Sequence, residues 1–309
     1  MKFIILIFYT MKTKFATTIC TLLLTIGLAF GQDYAFKVLG NEGSNSSNPG
    51  GQWTPLKTGS IIKDGETVRV GSNSYLGLLH SSGRSIELKD AGDYPASELV
   101  KKVSTGSSSL AGKYADFVLS KMASSGNGNN MSVTGAVERA TDDSSIKVNL
   151  PSSVELFNPE AIITWGEVEG NHEYKIILKN MFDEVIMESS TTDPMVNLNF
   201  DDPKLKDQRL VIFSVRLKDD ESVQSGEYGI KKLSKEEAET IKNSYESLKS
   251  EIGDDSALDK IILASFFEEN NLIIDAATNY ENAIKLSPDV EDFKNAYKQF
   301  LQRNGLGQN

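Results

Sequence analysis

The side chains best suited to nucleophilic or metal chemistry in this 309-residue sequence are two histidines and one cysteine. His80 ends a predicted strand, His172 lies in a predicted turn far along the chain, and Cys20 lies within an apolar N-terminal run. A hydrolase needs a nucleophile beside a base that a third group orients, and these residues form no such motif. The sequence therefore predicts no catalytic residue. A metal site shared by the two histidines would require a coincidence of the fold.

Paired carboxylates are the second candidate group. Adjacent aspartates would offer oxygen ligands to Ca²⁺, but none has the alternating Asp-x-Asp-x-Asp-Gly spacing of a calcium loop. We interpret them as solvated turns and expect no metal and no cofactor. A glycosidase that uses two carboxylates stays open as an alternative, because its acids can be far apart in sequence. The pairs are Asp142-Asp143, Asp201-Asp202, Asp219-Asp220 and Asp254-Asp255.

The charge balance excludes one class of partner. The chain holds 32 Lys and Arg against 43 Asp and Glu, a net charge of −11, whereas a nucleic-acid-binding protein needs a basic face to neutralise phosphates. Its apolar share of 39% and charged share of 24% are those of an ordinary globular protein. At about 150 residues per domain, the length suggests about two domains.

The N-terminus has the three-part layout of a secretory signal peptide. Residues 11–14 are a short basic start, residues 15–30 carry no charge, and Ala29 and Gly31 fit the −3 and −1 positions of a cleavage site. We predict a signal peptide over residues 1–31, cleaved between Gly31 and Gln32, and export to the periplasm or the cell exterior. An uncleaved anchor is the alternative, although the uncharged run is shorter than the roughly 20 residues that a spanning helix needs.

The start of translation stays open between Met1 and Met11, because residues 1–10 are themselves apolar. Cleavage would remove Cys20, the single cysteine. The exported chain would then hold no thiol, which excludes disulfides, thiolate zinc sites and cysteine nucleophiles. Because Cys20 lies inside the apolar run rather than at its end, we do not expect a lipoprotein acylation site.

Residues 32–102 read as short β-strands. Apolar and polar residues alternate at residues 68–70, and the Asp-Gly and Ser-Gly pairs at residues 64–65 and 82–83 are hairpin signals, because glycine supplies positive φ at turns. A strand is predicted over residues 35–39. The Gly-, Ser-, Asn- and Pro-rich residues 40–51 that follow are predicted to be a loop that contributes nothing to a core.

A series of turn glycines and apolar positions continues through this region. It consists of Gly59, Gly65, Val68, Gly83 and Ile86, together with Trp53, Leu56, Val70, residues 74–78 and Leu88. The series resembles the FecR-type domain, a compact β module of bacterial cell-envelope proteins that include periplasmic parts of regulators. The resemblance implies a β fold and an envelope location but no activity. Regulators of this family also carry a membrane span and a cytoplasmic arm, for which the sequence offers no candidate.

Residues 103–145 are predicted to be a connector. An apolar stripe at helical spacing predicts a helix over residues 107–122, and the Ser-, Gly- and Asn-rich residues 124–130 read as a flexible linker. A membrane-surface helix would carry an excess of Lys and Arg on its polar face. Because that excess is missing, we favour docking of the helix on the neighbouring β module.

Residues 146–233 are predicted to be a second β module, because short strands recur with Asn, Asp, Gly and Pro between them, which is typical of a β-sandwich. Trp165 and Tyr174, on successive predicted strands, are similar to the core pair of fibronectin type III and immunoglobulin-like domains. The resemblance implies that the two rings pack together across the core. The absence of cysteine excludes the antibody type with a disulfide. The predicted strands are residues 146–150, 161–165, 173–178, 184–187, 195–200, 209–217 and 228–232.

From residue 234 to 309 the apolar spacing changes from two to about 3.6 residues, which predicts helices. Ser234 and Glu237 have the spacing of a capping box at the first helix, and further helices are predicted over residues 257–269, 272–286 and 289–303. A signature of small and aromatic residues consists of Ala264, Phe267, Ala276, Tyr280, Ala283 and Pro288. It is similar to one tetratricopeptide repeat. Because stable solenoids need several stacked repeats, we expect this one to lean on the second β module.

These observations predict a multidomain chain with a mostly β N-terminal part, made of a FecR-like module and an immunoglobulin-like β-sandwich, followed by an α-helical, tetratricopeptide-like segment. We expect an exported, non-catalytic envelope protein that acts as a protein–protein interaction scaffold and binds its partner through the helical segment. It would bind no nucleic acid and would contact a membrane only through the signal peptide. Two alternatives stay open. One is a FecR-like signalling or regulatory sensor component, and the other is a module for an envelope polysaccharide such as peptidoglycan, with Trp53, Tyr75 and Tyr94 as an aromatic platform.

Overall fold

A mostly β N-terminal half is followed by a C-terminal segment of four helices, which confirms the predicted order of β and α parts. The predicted signal peptide, its cleavage site at Gly31 and Gln32, and residues 125–130 of the predicted linker lie outside the described residues. The residues that the computed structural model describes are 34–103, 110–124, 146–253 and 255–306.

The described elements fall into three groups. The strands of the N-terminal β module are β1 (Phe36–Glu42), β2 (Asn45–Ser47), β3 (Thr54–Pro55), β4 (Ile61–Ile62), β5 (Thr67–Val70), β6 (Tyr75–His80), β7 (Ser85–Leu88) and β8 (Gly92–Pro95). Those of the second β module are β9 (Ser153–Leu156), β10 (Glu160–Thr164), β11 (Tyr174–Lys179), β12 (Val185–Thr191), β13 (Met195–Asn199), β14 (Leu210–Leu217) and β15 (Tyr228–Lys232). The helices are α1 (Ala96–Lys102), α2 (Leu110–Ser124), α3 (Lys235–Ile252), α4 (Ala257–Glu269), α5 (Ile273–Leu286) and α6 (Glu291–Arg303), of which α3 to α6 form the helical segment.

The N-terminal β module consists of two four-stranded sheets, in the orders β4-β1-β6-β7 and β3-β2-β5-β8. Side chains alternate across each strand, so β5 buries Val68 and Val70 and exposes Arg69 between them. The buried residues of both sheets meet in a core of their own, which also includes Leu99 of α1. The alternation in the sequence is therefore that of a sheet with one face buried in the core and the other exposed to solvent.

The residues of the FecR-like pattern occupy turns and core positions of this module. Gly59 and Gly83 have φ values of 88° and 92°, in the left-handed region that favours glycine. Gly65 lies in the exposed turn before β5. Val68 is fully buried, and Ile86 packs half-buried against the same core. These positions suit a compact β module, and membership of the FecR family stays a prediction.

The predicted loop at residues 40–51 was wrong in its first half, because β1 continues to Glu42 and β2 follows at once. The buried Asn45 side chain explains this. Its Nδ2 donates to Asn41 Oδ1, to the carbonyl of Glu42 and to the carbonyl of Tyr75 at 2.9–3.0 Å. A polar residue whose hydrogen bonds are all made can be buried without the usual cost, so a sequence without apolar residues still forms a buried strand.

Helix α2 lies on the helical segment, where it contacts α3, α4 and α6. Tyr114 meets Phe266 of α4 edge-to-face at 5.4 Å, and Lys113 pairs with Glu269 at 2.6 Å. The prediction that α2 docks on the neighbouring N-terminal β module is therefore wrong for most of the buried surface of α2. The β module contributes an ion pair to Asp116 from Lys37.

The second β module has a five-stranded sheet, ordered β12-β11-β14-β15-β9, and a two-stranded sheet of β10 and β13. Strand β14 alternates strictly between buried and half-buried positions, and the β15–β9 pair is parallel. The indole of Trp165 lies 5.4 Å from the ring of Tyr174 in an edge-to-face contact. The expected contact between these two rings is therefore confirmed. Membership of the immunoglobulin-like or fibronectin type III families stays a prediction.

The start of this module differs from the prediction. Residues 146–150 form no strand; they make an isolated bridge from Val148 to Trp165 and a backbone hydrogen bond from Ile146 to Gln224. Strand β9, by contrast, was not predicted. The three alternating apolar residues of the first stretch made it look like a strand, yet their side chains are buried individually against the larger core. The remaining predicted strands of residues 161–232 agree with β10 to β15 within a few residues.

The helical segment begins as predicted. Ser234 and Glu237 form a complete capping box at the start of α3, and Ser256 with Asp259 forms a second one at α4. Helices α4 and α5 pack against each other along their length. Around this helical pair lie α2 and α3 on one side and α6, β7, β9 and β10 on others, so the pair is the centre of the fold and not an appendage.

Candidate binding surfaces

The repeat-like signature in α4 and α5 is interior. Ala264, Ala276 and Ala283 are fully buried, which lets the two helices approach closely, and Phe267 and Tyr280 fill the space beside them. Pro288 follows α5 on the surface. The residues that suggested a partner-binding repeat are thus used inside the chain, where they hold its parts together.

Helix α5 covers the open edge of the two-stranded sheet. Strand β10 pairs with β13 on one side, and on the other the N–H of Ile162 donates to the Thr278 hydroxyl at 2.9 Å. Covering an edge with a helix prevents it from pairing with another chain. The expectation that the helical pair leans on the second β module is therefore confirmed by direct contacts.

The same helix carries a fully buried carboxylate. Asp275 accepts hydrogen bonds from the N–H groups of Phe157 and Asn158 at 2.9 and 2.8 Å and from Asn158 Nδ2 at 2.9 Å. Burial raises the pKa of Asp275 to about 7, although these hydrogen bonds oppose the rise. Lys260 and Glu160 line the cavity of about 240 Å³ beside it. All three hydrogen bonds join α5 to the turn after β9. We call a side chain that joins two parts of the chain in this way a fastener.

The helical segment is also fastened to the N-terminal β module. Glu87 Oε1 accepts from the N–H of Leu258 at 3.0 Å and from the Tyr75 hydroxyl at 2.9 Å. Asp259 accepts from the Ser85 hydroxyl at 2.5 Å, and burial raises the pKa of its carboxyl. A polar network that includes side chains of β7 therefore joins the N-terminus of α4 to the N-terminal β module.

A second fastener lies at the start of α6. Asp292 accepts from the N–H of Asn41 at 3.0 Å and from the Thr58 hydroxyl, and Glu42 accepts from the N–H of Glu291 at 3.3 Å. Carboxylates near a helix N-terminus interact favourably with its dipole. Through α4, α5 and α6, the helical segment thus contacts both β modules.

The predicted chemistry candidates are dispersed among the described residues. His80 Nδ1 lies 2.7 Å from the Ser82 hydroxyl in a turn, and His172 pairs with Asp219 at 3.2 Å on the surface. No group of three or more His, Cys, Asp or Glu in the described residues could hold a metal ion. The Asp201-Asp202 pair lies in a surface turn, where Asp202 accepts from the N–H of Lys204 at 2.8 Å. Asp142-Asp143 and Asp254 lie outside the described residues.

The tip of the β11–β12 hairpin carries exposed apolar side chains, which we call the knuckle: Met181, Phe182 and Val185. Phe182 is 74% exposed and Met181 is 65% exposed, values far from those of the core aromatics. Sequence analysis did not single them out. Asn180 and Asp183 are residue types that favour turns. The signal in the sequence was the presence of two large apolar residues, Met181 and Phe182, between them, because a turn at the surface exposes its side chains.

The knuckle is held by a satisfied turn. The buried Asn180 accepts through Oδ1 from the N–H groups of Phe182 and Glu184 at 2.9 and 3.1 Å, and its Nδ2 donates to the Glu184 carboxylate at 2.8 Å. Asp183 adopts a left-handed φ of 65°, which Asp tolerates better than most residues. Phe182 is therefore presented from an ordered backbone.

The rim of the knuckle is acidic. Lys179 pairs with Asp183 at 2.7 Å and with Glu227 at 2.9 Å, and Glu184 lies on the same turn. Three carboxylates against one ammonium leave two net negative charges. An apolar tip with an acidic rim is the pattern of an interface centre surrounded by steering charges.

A second exposed feature replaces the predicted aromatic platform. Trp53 is 41% exposed and stacks against the Arg69 guanidinium, whose carbon lies 3.8 Å from the ring centroid. Tyr75 cannot join it, because its ring is buried against Phe293. Tyr94 pairs in register with the buried Val68 and so faces the inner side of the sheet. The expected platform of three aromatic rings is therefore wrong, and Trp53 alone is on the outer face.

Comparison with known protein families finds no family model that matches the chain, and comparison with curated proteins finds no matching sequence. In the described parts of the chain, no helix has the length and apolar character needed to cross a membrane.

Proposed function

We propose that this chain is an exported, non-catalytic protein of the cell envelope, and that it acts as a scaffold which binds another protein through the knuckle. The observation that carries the proposal is the high exposure of Met181, Phe182 and Val185 on a turn whose backbone is already ordered. Exposed apolar residues at an ordered site mark protein interaction surfaces, and preorganisation reduces the entropy lost on binding.

Charge complementarity specifies the partner. Because Asp183, Glu184 and Glu227 surround the knuckle, we propose a partner with an apolar pocket bordered by Lys or Arg. Such charges steer association more than they add affinity. We therefore expect the association rate constant to fall as salt is added, while the dissociation rate constant changes little.

The architecture supports the scaffold role. A scaffold must hold its binding surface in a fixed relation to the rest of the chain, and the fasteners at Asp275, Glu87 and Asp292 link the helical segment to both β modules. The order of β10 to β15 in the second β module is compatible with an immunoglobulin-like sandwich, which we propose as its family. We retain the FecR-like and tetratricopeptide-like identities as proposals on the residues given above.

The predicted alternatives differ in what they require. Binding through the helical segment would have to use mainly the outer faces of α3 and α6, because most residues of α4 and α5 are buried. A FecR-like sensor would need to stay attached to a membrane. Sequencing of the mature N-terminus after cell fractionation tests this, since a released protein that begins at Gln32 contradicts the sensor and supports export.

Site-specific photocrosslinking in intact cells tests the knuckle. A photoreactive residue at Phe182 should give one dominant protein adduct, and the same residue at the exposed Asn243 of α3 should not. The captured protein is then purified and its binding to the unmodified chain is measured. Equal capture at both positions, or a purified partner that binds the Phe182→Ser variant as tightly as the original chain, would refute the proposal.

A further inference from the structure

The outer face of the β3-β2-β5-β8 sheet carries a second exposed group of side chains, in a different module from the knuckle. We propose that Trp53, Arg69 and Asp93, which we call the Trp53 platform, bind an uncharged pyranose ring of an envelope polysaccharide. The register aligns Pro55, Ser46, Arg69 and Asp93 in one row across the four strands. All four side chains of the row therefore lie on the same face of the sheet.

The platform is preformed. Asp93 accepts from Arg69 Nε at 2.7 Å and from Nη2 at 2.8 Å in a bidentate pair. The guanidinium carbon of the paired Arg69 lies over one face of the Trp53 ring, 3.8 Å from its centroid, so a ligand would use the other face. Planar, bidentate pairs of this kind fix geometry as well as charge. The result is a rigid assembly of one indole, one guanidinium and one carboxylate at an exposed surface.

The chemistry of the platform matches a neutral sugar. A pyranose ring presents an apolar C–H face and a rim of hydroxyl groups, which suit an aromatic ring beside fixed donors and acceptors. The bidentate pair uses Nε and Nη2 of Arg69, so Nη1 points outside it, and the Asp93 carboxylate has about four acceptor positions, of which the pair uses two. The charges of Arg69 and Asp93 cancel, so the platform offers no net attraction to an anionic ligand.

The surroundings favour a chain over a single sugar. Residues 49–55, which include the turn at Pro49–Gly51, are all exposed, so the chain on either side of Trp53 is accessible as well. An open, flat site accommodates an extended polymer, whereas small molecules usually bind in concave pockets that bury most of their surface. We therefore expect oligosaccharides to bind more tightly than the monosaccharide.

Tryptophan fluorescence of the full chain tests this site. Trp53 and Trp165 are the two tryptophans, and Trp165 is only 3% exposed, so acrylamide quenching reports mainly on Trp53. Titration with the β-1,4 tetramer of N-acetylglucosamine should protect Trp53 in a saturable way, and cellotetraose tests whether the acetamido group matters. The protection should be unchanged between about 50 mM and about 500 mM NaCl. Added salt shortens the Debye length and so screens exposed charges, which weakens an ionic complex but not the binding of an uncharged sugar.

Variants give the second readout, retention on insoluble peptidoglycan. Trp53→Ala and Arg69→Ala should each weaken binding at least tenfold, and Asn243→Ala, at an exposed position of α3 outside both proposed surfaces, is the control that should bind normally. Thermal unfolding confirms that each variant is folded, and Asp93→Asn, which keeps the shape of the side chain, provides a milder test. Absence of protection by both tetramers, protection that disappears with salt, or peptidoglycan retention that survives Trp53→Ala would each overturn the proposal.

Discussion

Two hairpins in this protein carry prominent aromatic residues and use them in opposite ways. In the helical hairpin of α4 and α5, Phe267 is 0% exposed, and its ring contacts those of Tyr245 in α3, Phe157 after β9 and Phe266 in its own helix. In the β11–β12 hairpin, Phe182 is 74% exposed. The first hairpin has the sequence signature of a partner-binding repeat but lies at the centre of the fold, whereas the second has no such signature and presents an exposed apolar surface. Similarity to a binding motif therefore does not locate a binding surface, since burial decides whether its residues are available.

The largest expected effect comes from truncating the same residue type in both hairpins. Phe267→Ala should lower the free energy of unfolding by about 3–5 kcal/mol, because it leaves a cavity among packed rings. Phe182→Ala should change it by less than about 0.5 kcal/mol, as for most surface positions. Urea unfolding followed by far-UV circular dichroism measures both. Similar losses of unfolding free energy in the two variants would contradict the conclusion that Phe267 is a core residue and Phe182 a surface residue.

The next effect concerns the buried acid that fastens α5 to the second β module. Asp275→Asn should cost about 2–3 kcal/mol, because an amide group places a donor against N–H groups that now donate to a carboxylate. A smaller loss, comparable with that of a surface substitution, would show that α5 does not depend on this acid.

The same acid predicts a pH dependence. The pKa of Asp275 is raised from 3.8 to about 7 in the folded protein, so the folded state binds the proton more tightly than the unfolded state. Its stabilising contribution is therefore fully present below about pH 4 and is lost as the pH rises through about 7. The difference in unfolding free energy between the original chain and Asp275→Asn should be larger at pH 5 than at pH 8. A difference that grows with pH would contradict the assigned burial.

A smaller effect is expected at the start of α6. Asp292→Ala removes the acceptor for the N–H of Asn41 and for the Thr58 hydroxyl, which should cost about 1–2 kcal/mol. Hydrogen exchange followed by mass spectrometry should show faster exchange in β1 and no change in β14. Uniform acceleration across both strands would show that α6 does not fasten the N-terminal β module specifically.

Among the hydrogen-bonding side chains, the smallest loss of stability is expected for Asn180 in the turn of the knuckle. Asn180→Ala removes the acceptor for two N–H groups of the turn, and because the turn is at the surface the loss should be about 1 kcal/mol. Affinity for the partner should nevertheless fall, because Phe182 is no longer presented in one geometry. A variant with unchanged affinity would show that the order of the turn is irrelevant to binding.

Local signals predicted much of the fold. The capping box at Ser234, the helical spacing of α4 to α6 and the contact between Trp165 and Tyr174 all depend on residues close in sequence or on a simple period, and all are present. Strand β2 was missed because its burial depends on hydrogen bonds from Asn45 to residues brought near by folding.

The binding surfaces were harder to predict for the same reason. Periodicity marks residues that are apolar on one face but does not say whether another element covers that face. For the signature in α4 and α5, the covering elements include β7 and β10, which come from distant parts of the chain. For Met181 and Phe182, the informative fact is that the described chain leaves them exposed, which only the folded structure shows.

The most direct test of the account is a paired measurement on Phe182→Ser, with the purified crosslinked partner and the same protein preparation. We predict that the dissociation constant rises at least tenfold, equivalent to about 1.4 kcal/mol, while the free energy of unfolding stays within about 0.5 kcal/mol of the original chain. An unchanged dissociation constant in a folded variant would contradict the central claim that the knuckle is the protein-binding surface.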